Sequence, residues 1–150
     1  MKANELMIGD WVCLEDENLP IKERYFNIEY LAISAGVSWV NQGTNAPIGL
    51  GDGESLIPVF IDEISPIPLT PEILEKNGFI KGDTMDLGDE IYCVKLFNIH
   101  YDNEERQFWV CNFFESEYGT MEINDIFQIK YVHELQHALR LYKVEKEIVL

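Results

Sequence analysis

The stretch "YVHELQHALRL", from Tyr131 to Leu141, sets His133, Glu134 and His137 in the order H-E-x-x-H. On a helix, residues four apart fall about 40° from one another around the axis, so both imidazoles could reach one Zn²⁺. A glutamate between them would polarise a metal-bound water as general base, which is the chemistry of a zinc-dependent hydrolase. That chemistry also needs a third protein ligand. In peptidases built on this motif the ligand usually lies well downstream, yet the sequence runs only to Leu150. Where the longer form of the motif carries another histidine stands Lys143, and the one remaining histidine is His100, in "NIHYD".

Projected on a helix, Val132, Leu135, Leu139 and Tyr142 form an apolar stripe, with His133 and His137 nearly opposite. Lys130 and Arg140 project close to the histidine pair, and two cations beside a dication are unfavourable. The residues therefore read as the polar face of an amphipathic helix, with Glu134 supporting its first turn through the helix dipole. On that reading there is no catalytic residue, no metal ligand and no cofactor. The alternative, a zinc hydrolase, would use Glu134 as base and His133 and His137 as ligands.

Other groupings carry less. "GLGDG" (Gly49 to Gly53) is not followed by a Lys-Ser/Thr pair, and Asp52 and Glu54 would repel phosphate, so it is no phosphate-binding loop. In "DTMDLGDE" (Asp83 to Glu90), aligning Gly88 with the turn glycine of a calcium loop puts Met85, Leu87 and Val94 where oxygen ligands belong. Carboxylates in "DNEE" and "ESE" could in principle form an acid/base pair, but sequence spacing alone does not show one. Trp11, Trp39 and Trp109 read as core or interface anchors. Cys13, Cys93 and Cys111 read as reduced thiols, the latter two as buried thiols on neighbouring strands.

The elements that must position these groups are mostly strands. "IGDWVCLE" (Ile8 to Glu15), "YFNIEYLAIS" (Tyr25 to Ser34) and "LIPVFIDEI" (Leu56 to Ile64) have strand composition, the last with an edge signal in Pro58. Between the second and third, "NQGTNAPIGLGDGES" reads as a loop or long hairpin connection. "SPIPLTPEILEKNGF" encodes a helix from Pro71 to Lys76: Thr70 caps it, Pro71 fits its first position and Asn77-Gly78 ends it. "EIYCVKLFNIH" and "RQFWVCNFFE" read as the arms of a hairpin turning at "YDNEE", and a further strand lies in "YGTMEINDIFQIK". A closing helix spans Tyr131 to Lys143, and "VEKEIVL" follows as a short strand or frayed tail.

Eleven basic against 27 acidic residues give a formal charge of -16. Such a surface repels phosphate backbones and anionic lipid, so direct nucleic-acid and membrane binding are disfavoured, and a basic protein becomes the natural partner. The N-terminus lacks a signal-peptide apolar core, and the longest uncharged stretch, Leu31 to Gly51, is broken by glycines and Pro47. A cytoplasmic location is the expectation.

Three stretches, "MKANELMIGDWV", "ISPIPLTPEILEKNGF" and "IKYVHELQHALRL", resemble a family of small proteins carried in the genomes, prophages and mobile elements of gut anaerobic bacteria. The resemblance brackets nearly the whole chain and implies no activity. That family usually has glutamine where Glu134 stands and asparagine where His137 stands, while Tyr131, Val132, His133, Leu135 and Gln136 match. It implies that His133 caps or packs rather than ligates.

The sequence thus predicts an α+β protein, mainly antiparallel sheet with helices at about 71–76 and 131–143. It reads as one compact unit, divisible into a β-rich part over 1–65, compatible with a small β-barrel-like form, and an α+β part over 66–150. The favoured function is a non-enzymatic accessory or interaction protein of mobile-element origin. The competitors are the zinc hydrolase and an acidic decoy that imitates DNA for a DNA-binding protein.

Overall fold

The computed structural model describes residues 5–20, 23–31, 48–51, 56–83, 89–119 and 121–150. The protein is α+β, with two antiparallel five-stranded sheets and two helices. It divides into two compact units, Met1–Ile67 and Pro68–Leu150.

The first unit contains β1 (Trp11–Leu14), β2 (Tyr25–Leu31), β3 (Ile48–Gly51), β4 (Leu56–Val59) and β5 (Ile64–Pro66), in the order β4-β3-β2-β1-β5. The sheet is open, so the β-barrel-like expectation is corrected: β4 and β5 stand at opposite edges, and among the described residues no ladder joins them, as closure into a ring would require. Leu6, Val12, Ile28, Ile48, Leu50, Val59 and Ile64 make its core. The Gly9-Asp10 signal forms a turn in which Gly9 takes a φ of 86° and the fully buried Asp10 carboxylate accepts the Met7 N–H at 2.7 Å. Strand β1 therefore starts at Trp11, later than the expected Ile8.

Two further expectations are corrected here. The glycine-rich connection holds a strand, β3, paired on both sides, Leu50 with Ile28 and with Ile57. The run Leu56 to Ile64 is two strands: Glu63 Oε2 accepts the Phe60 N–H at 2.6 Å around a 3₁₀ turn at Ile61–Glu63, and the chain leaves β4 to pair with β1.

The second unit contains α1 (Pro71–Lys76), β6 (Ile80–Asp83), β7 (Glu90–Val94), β8 (Phe97–Asp102), β9 (Gln107–Glu115), β10 (Met121–Ile129) and α2 (Val132–Leu141). Its sheet is a meander, β10-β9-β8-β7-β6. Helix α1 has the expected bounds: Thr70 Oγ1 accepts the Ile73 N–H, and Gly78 leaves the helix with a φ of 71°. The single arm expected from Glu90 to His100 is itself a hairpin, turning at Lys95 and Leu96.

Register sorts the sheet's residues between two faces. Tyr92, Ile99 and Val110 stand opposite one another on one face, with Phe97 and Phe108, and all are buried. Phe97 meets the Tyr142 ring edge-on at 5.3 Å, which places the C-terminal end of α2 on this face. Burial, then the hydrogen bond to Glu90, raises the Tyr92 phenol's pKa and keeps it protonated. The other face carries Ile91, Cys93, Asn98, His100, Trp109 and Cys111.

The C-terminal residues are tied down rather than frayed. Asn77 Nδ2 donates to the carbonyls of Ile73 and Val149, each at 2.9 Å, and Asn77 Oδ1 accepts the Val149 N–H at 2.8 Å, while Ile148 is 1% exposed.

Candidate functional site

Helix α2 begins where Tyr131 ends a short antiparallel bridge to Pro68. The first turn of a helix leaves backbone N–H groups without intrahelical acceptors. Here Glu134 turns back to meet them: its Oε2 accepts the N–H of Lys130 at 2.6 Å and of Tyr131 at 3.2 Å. The carboxylate that a hydrolase would need as base is engaged in starting the helix. Removing it with Glu134→Ala is expected to cost about 1 kcal/mol of stability, and Glu134→Gln, which keeps an acceptor oxygen, a few tenths, as read from urea unfolding.

The expected polar face is corrected in one respect. His133 is 3% exposed, and Gln136 is buried as well, so α2 is covered over far more than its apolar stripe. The His133 ring lies parallel to Tyr131 at 5.7 Å and meets the half-buried His137 ring edge-on at 5.8 Å. Among the described residues no three His, Cys, Asp or Glu side chains form a group able to hold a metal ion. His133, Glu134 and His137 are thus brought together as the sequence suggested, without a third ligand from the described residues.

A different cluster sits on the other face of the second sheet, where Ile91 and Cys111 are buried. Pairing sets His100 opposite Ile91 and Trp109, and sets Cys111 between Asn98 and Asp125. Asp125 reaches across β9, and both its oxygens meet His100 Nδ1, at 3.0 and 3.1 Å. On the other side of the ring, Asp89 Oδ2 lies 3.3 Å from His100 Nε2. Burial first, then the negative charge of Asp125, pushes the Cys111 thiol up to about 12, so it stays protonated and unreactive at neutral pH. Cys93 and Cys111 are not on neighbouring strands, because β8 runs between them. Two strand spacings, about 9.5 Å, preclude a disulfide.

Other acids have structural work. Asp102 Oδ1 accepts the N–H groups of Glu104 and Glu105, each at 2.9 Å, which forms the "DNEE" turn. Glu90 pairs with Lys81 at 2.6 Å and accepts the Tyr92 hydroxyl, and these bonds lower its pKa. Trp39 and most of the acidic connection, residues 84–88, lie outside the described residues.

The third feature is a projecting arm. Strand β8 pairs with β9 only as far as Cys111, whereas β9 and β10 continue pairing to Glu115 and Met121. Beyond the sheet this leaves a two-stranded ribbon, closed by a turn in which Gly119 has a φ of 78°. Phe113, Phe114 and Met121 on its strands and Tyr118 in its turn are all exposed, Tyr118 at 91%. Adjacent strand residues point to opposite faces, so Phe113 and Phe114 put an aromatic ring on each. Between Asn112 and Asn124 the charges are Glu115, Glu117 and Glu122, with no lysine or arginine.

Sequence reasoning missed the His100 cluster and the arm. Alternation alone could have put Cys93 and Cys111 on a common face with His100, had the turn at Lys95 been visible. No family model, curated protein or solved structure was found to match the chain.

Proposed function

We propose that this is a non-enzymatic accessory protein, of the mobile-element kind its sequence resembles, that acts by inserting the β9–β10 arm into an apolar groove with a basic rim on another protein. The arm is the observation that carries the reading. An isolated two-stranded ribbon is marginally stable in water, and clustered exposed aromatics on it come at a solubility cost that a partner's groove would offset. Rings on both faces suit a groove better than a flat surface.

Charge selects the partner. Two arms of this chain brought together would oppose three carboxylates with three more and no cation, so a second copy is disfavoured. A basic rim would pair with Glu115, Glu117 and Glu122 and speed encounter.

The test is site-specific photo-crosslinking in the host cell, with the photoreactive group at position 118 and, as control, at the equally exposed position 96. The crosslinked protein is then purified and titrated. The expected result is a basic protein crosslinked from position 118 alone, bound at least tenfold more weakly by the Phe113→Ser/Phe114→Ser variant and more weakly at higher salt. Equal binding by that variant, or crosslinking without preference for position 118, would overturn the reading.

A further inference from the structure

A cavity of about 290 Å³ opens at one end of the second sheet. Three segments build it. The register sets Phe108 of β9 opposite Ile129 of β10, and the approach to α1 runs alongside, where the Leu69 N–H donates to the Lys130 carbonyl at 2.9 Å and Pro68 bridges to Tyr131. Leu69, Phe108 and Ile129, all buried, line it with apolar side chains. Stacking on Tyr101, at 4.4 Å between ring centroids, holds the Phe108 ring in place.

Arg106 and Lys130 also line the cavity, and both are exposed. With 27 acidic residues against 11 basic ones, a cation in this chain has carboxylates in excess to pair with. Yet among the described residues neither Arg106 nor Lys130 forms an ion pair. Two of the carboxylates nearest in sequence are committed to backbone: Asp102 to the N–H groups of Glu104 and Glu105, Glu134 to those of Lys130 and Tyr131. Two unpaired cations beside apolar side chains are the elements of a carboxylate site, in which the apolar side takes the body of a ligand and the cations take its charge.

We infer that this cavity binds a small organic monocarboxylate with an apolar body, held by the side chains of Arg106 and Lys130. Size sets the body: pockets for drug-sized ligands run from about 300 to 1,000 Å³, and this one, just below that range, suits a single ring or a short chain. Charge sets the headgroup. The field of a chain at -16 opposes an anion in proportion to the anion's own charge, so a monoanion that also buries apolar surface is favoured over a phosphate dianion. The start of α2 adds no donors from Lys130 or Tyr131, because Glu134 already holds those N–H groups. The cavity lies at the end of β9 and β10 away from the arm, so the site does not rest on the arm's proposed role.

The test titrates the full chain with benzoate and follows its amide signals by ¹H–¹⁵N NMR. The expected result is a saturable displacement confined to the amides of Leu69, Arg106, Gln107, Phe108, Ile129 and Lys130. Benzamide, which keeps the shape without the charge, and inorganic phosphate, which keeps a charge without the apolar body, should each bind about tenfold more weakly or worse. Arg106→Gln/Lys130→Gln should weaken benzoate by about tenfold or more, while Phe113→Ser/Phe114→Ser binds it as the parent does. The two glutamine changes leave the backbone hydrogen bonds of Lys130 in place, and the probe comparison uses the unmodified chain, so its outcome stands even if a variant fails to fold. Benzamide as tight as benzoate would reduce the site to an apolar hollow, and phosphate as tight would reduce it to a pair of surface cations. Either result would overturn the inference, as would parental binding by the double glutamine variant or the absence of saturable displacement at these amides.

Discussion

Asn77→Ala is expected to destabilise the Pro68–Leu150 unit by about 3 kcal/mol, with the urea midpoint lowered and the slope unchanged. The side chain makes three hydrogen bonds at a residue only 7% exposed. Two of them join α1 to Val149, across 72 residues of chain. Each is worth about 1 kcal/mol net, and the cost rises where a buried partner is left without one. Asn77→Asp is the sharper variant. It keeps the acceptor for the Val149 N–H but replaces a donor with a second acceptor facing the carbonyls of Ile73 and Val149. Its deficit should match or exceed that of alanine near neutral pH and shrink on acidification, because a protonated carboxyl regains one donor. The alanine variant has no such group and should show no matching recovery. NMR signals from β7 to β9 would report the unfolding, and amide exchange at Val149 would show the tail released. Equal stability of Asn77→Ala and the parent would mean that the tail contributes nothing.

Asn77 also marks the boundary of what could be read from sequence. Its local role, ending α1 with Gly78, belongs to a pattern a few residues long, and Thr70, Pro71 and Asn77-Gly78 fixed both ends of that helix in advance. Its second role depends on where Val149 lies, which no local pattern encodes. The turn between β7 and β8 was hidden for the opposite reason. Lys95 takes a left-handed φ of 55° with Leu96 beside it, and neither residue belongs to the Gly, Asn, Asp, Pro and Ser set that signals turns. Strand β3 was masked by the same logic reversed, since its flanking glycines and asparagines spoke for a loop while its pairing with β2 and β4 decided for a strand.

The candidate sites follow this division. Glu134 was legible as a first-turn residue because a helix start is local. His133 was placed on the wrong side because a projection finds the most apolar stripe and cannot see how much more of the helix its surroundings cover. The His100 cluster gathers residues from the approach to β7, from β8 and from β10, and it becomes visible only when the register of β7 to β10 is known. The arm needs one further fact, that β8 stops pairing at Cys111 while β9 continues.

Phe97→Ala is expected to cost about 3–5 kcal/mol, the largest effect of any substitution considered. Phe97 is 1% exposed and opens β8 directly after the turn at Lys95 and Leu96, whose Leu96 is 93% exposed. Its ring meets that of Tyr142, the residue that caps α2, in an edge-to-face contact, so one side chain joins the β7–β8 hairpin to the helix carrying His133 and His137. Truncation removes an aromatic ring from a packed site and loses an edge-to-face contact worth about 1 kcal/mol. Phe97→Leu keeps most of the volume and should cost about half as much or less. The two variants together calibrate the functional tests. Phe113→Ser/Phe114→Ser alters exposed rings and should leave the unfolding free energy within about 0.5 kcal/mol of the parent, the range of surface changes that touch no buried group. If partner binding falls in the arm variant at parental stability, and persists in Phe97→Leu at reduced stability, the loss belongs to the surface and not to the fold. A Phe97→Ala variant as stable as the parent would mean that α2 is held by something other than this contact, and the assignment of α2 to the buried face would have to be redrawn.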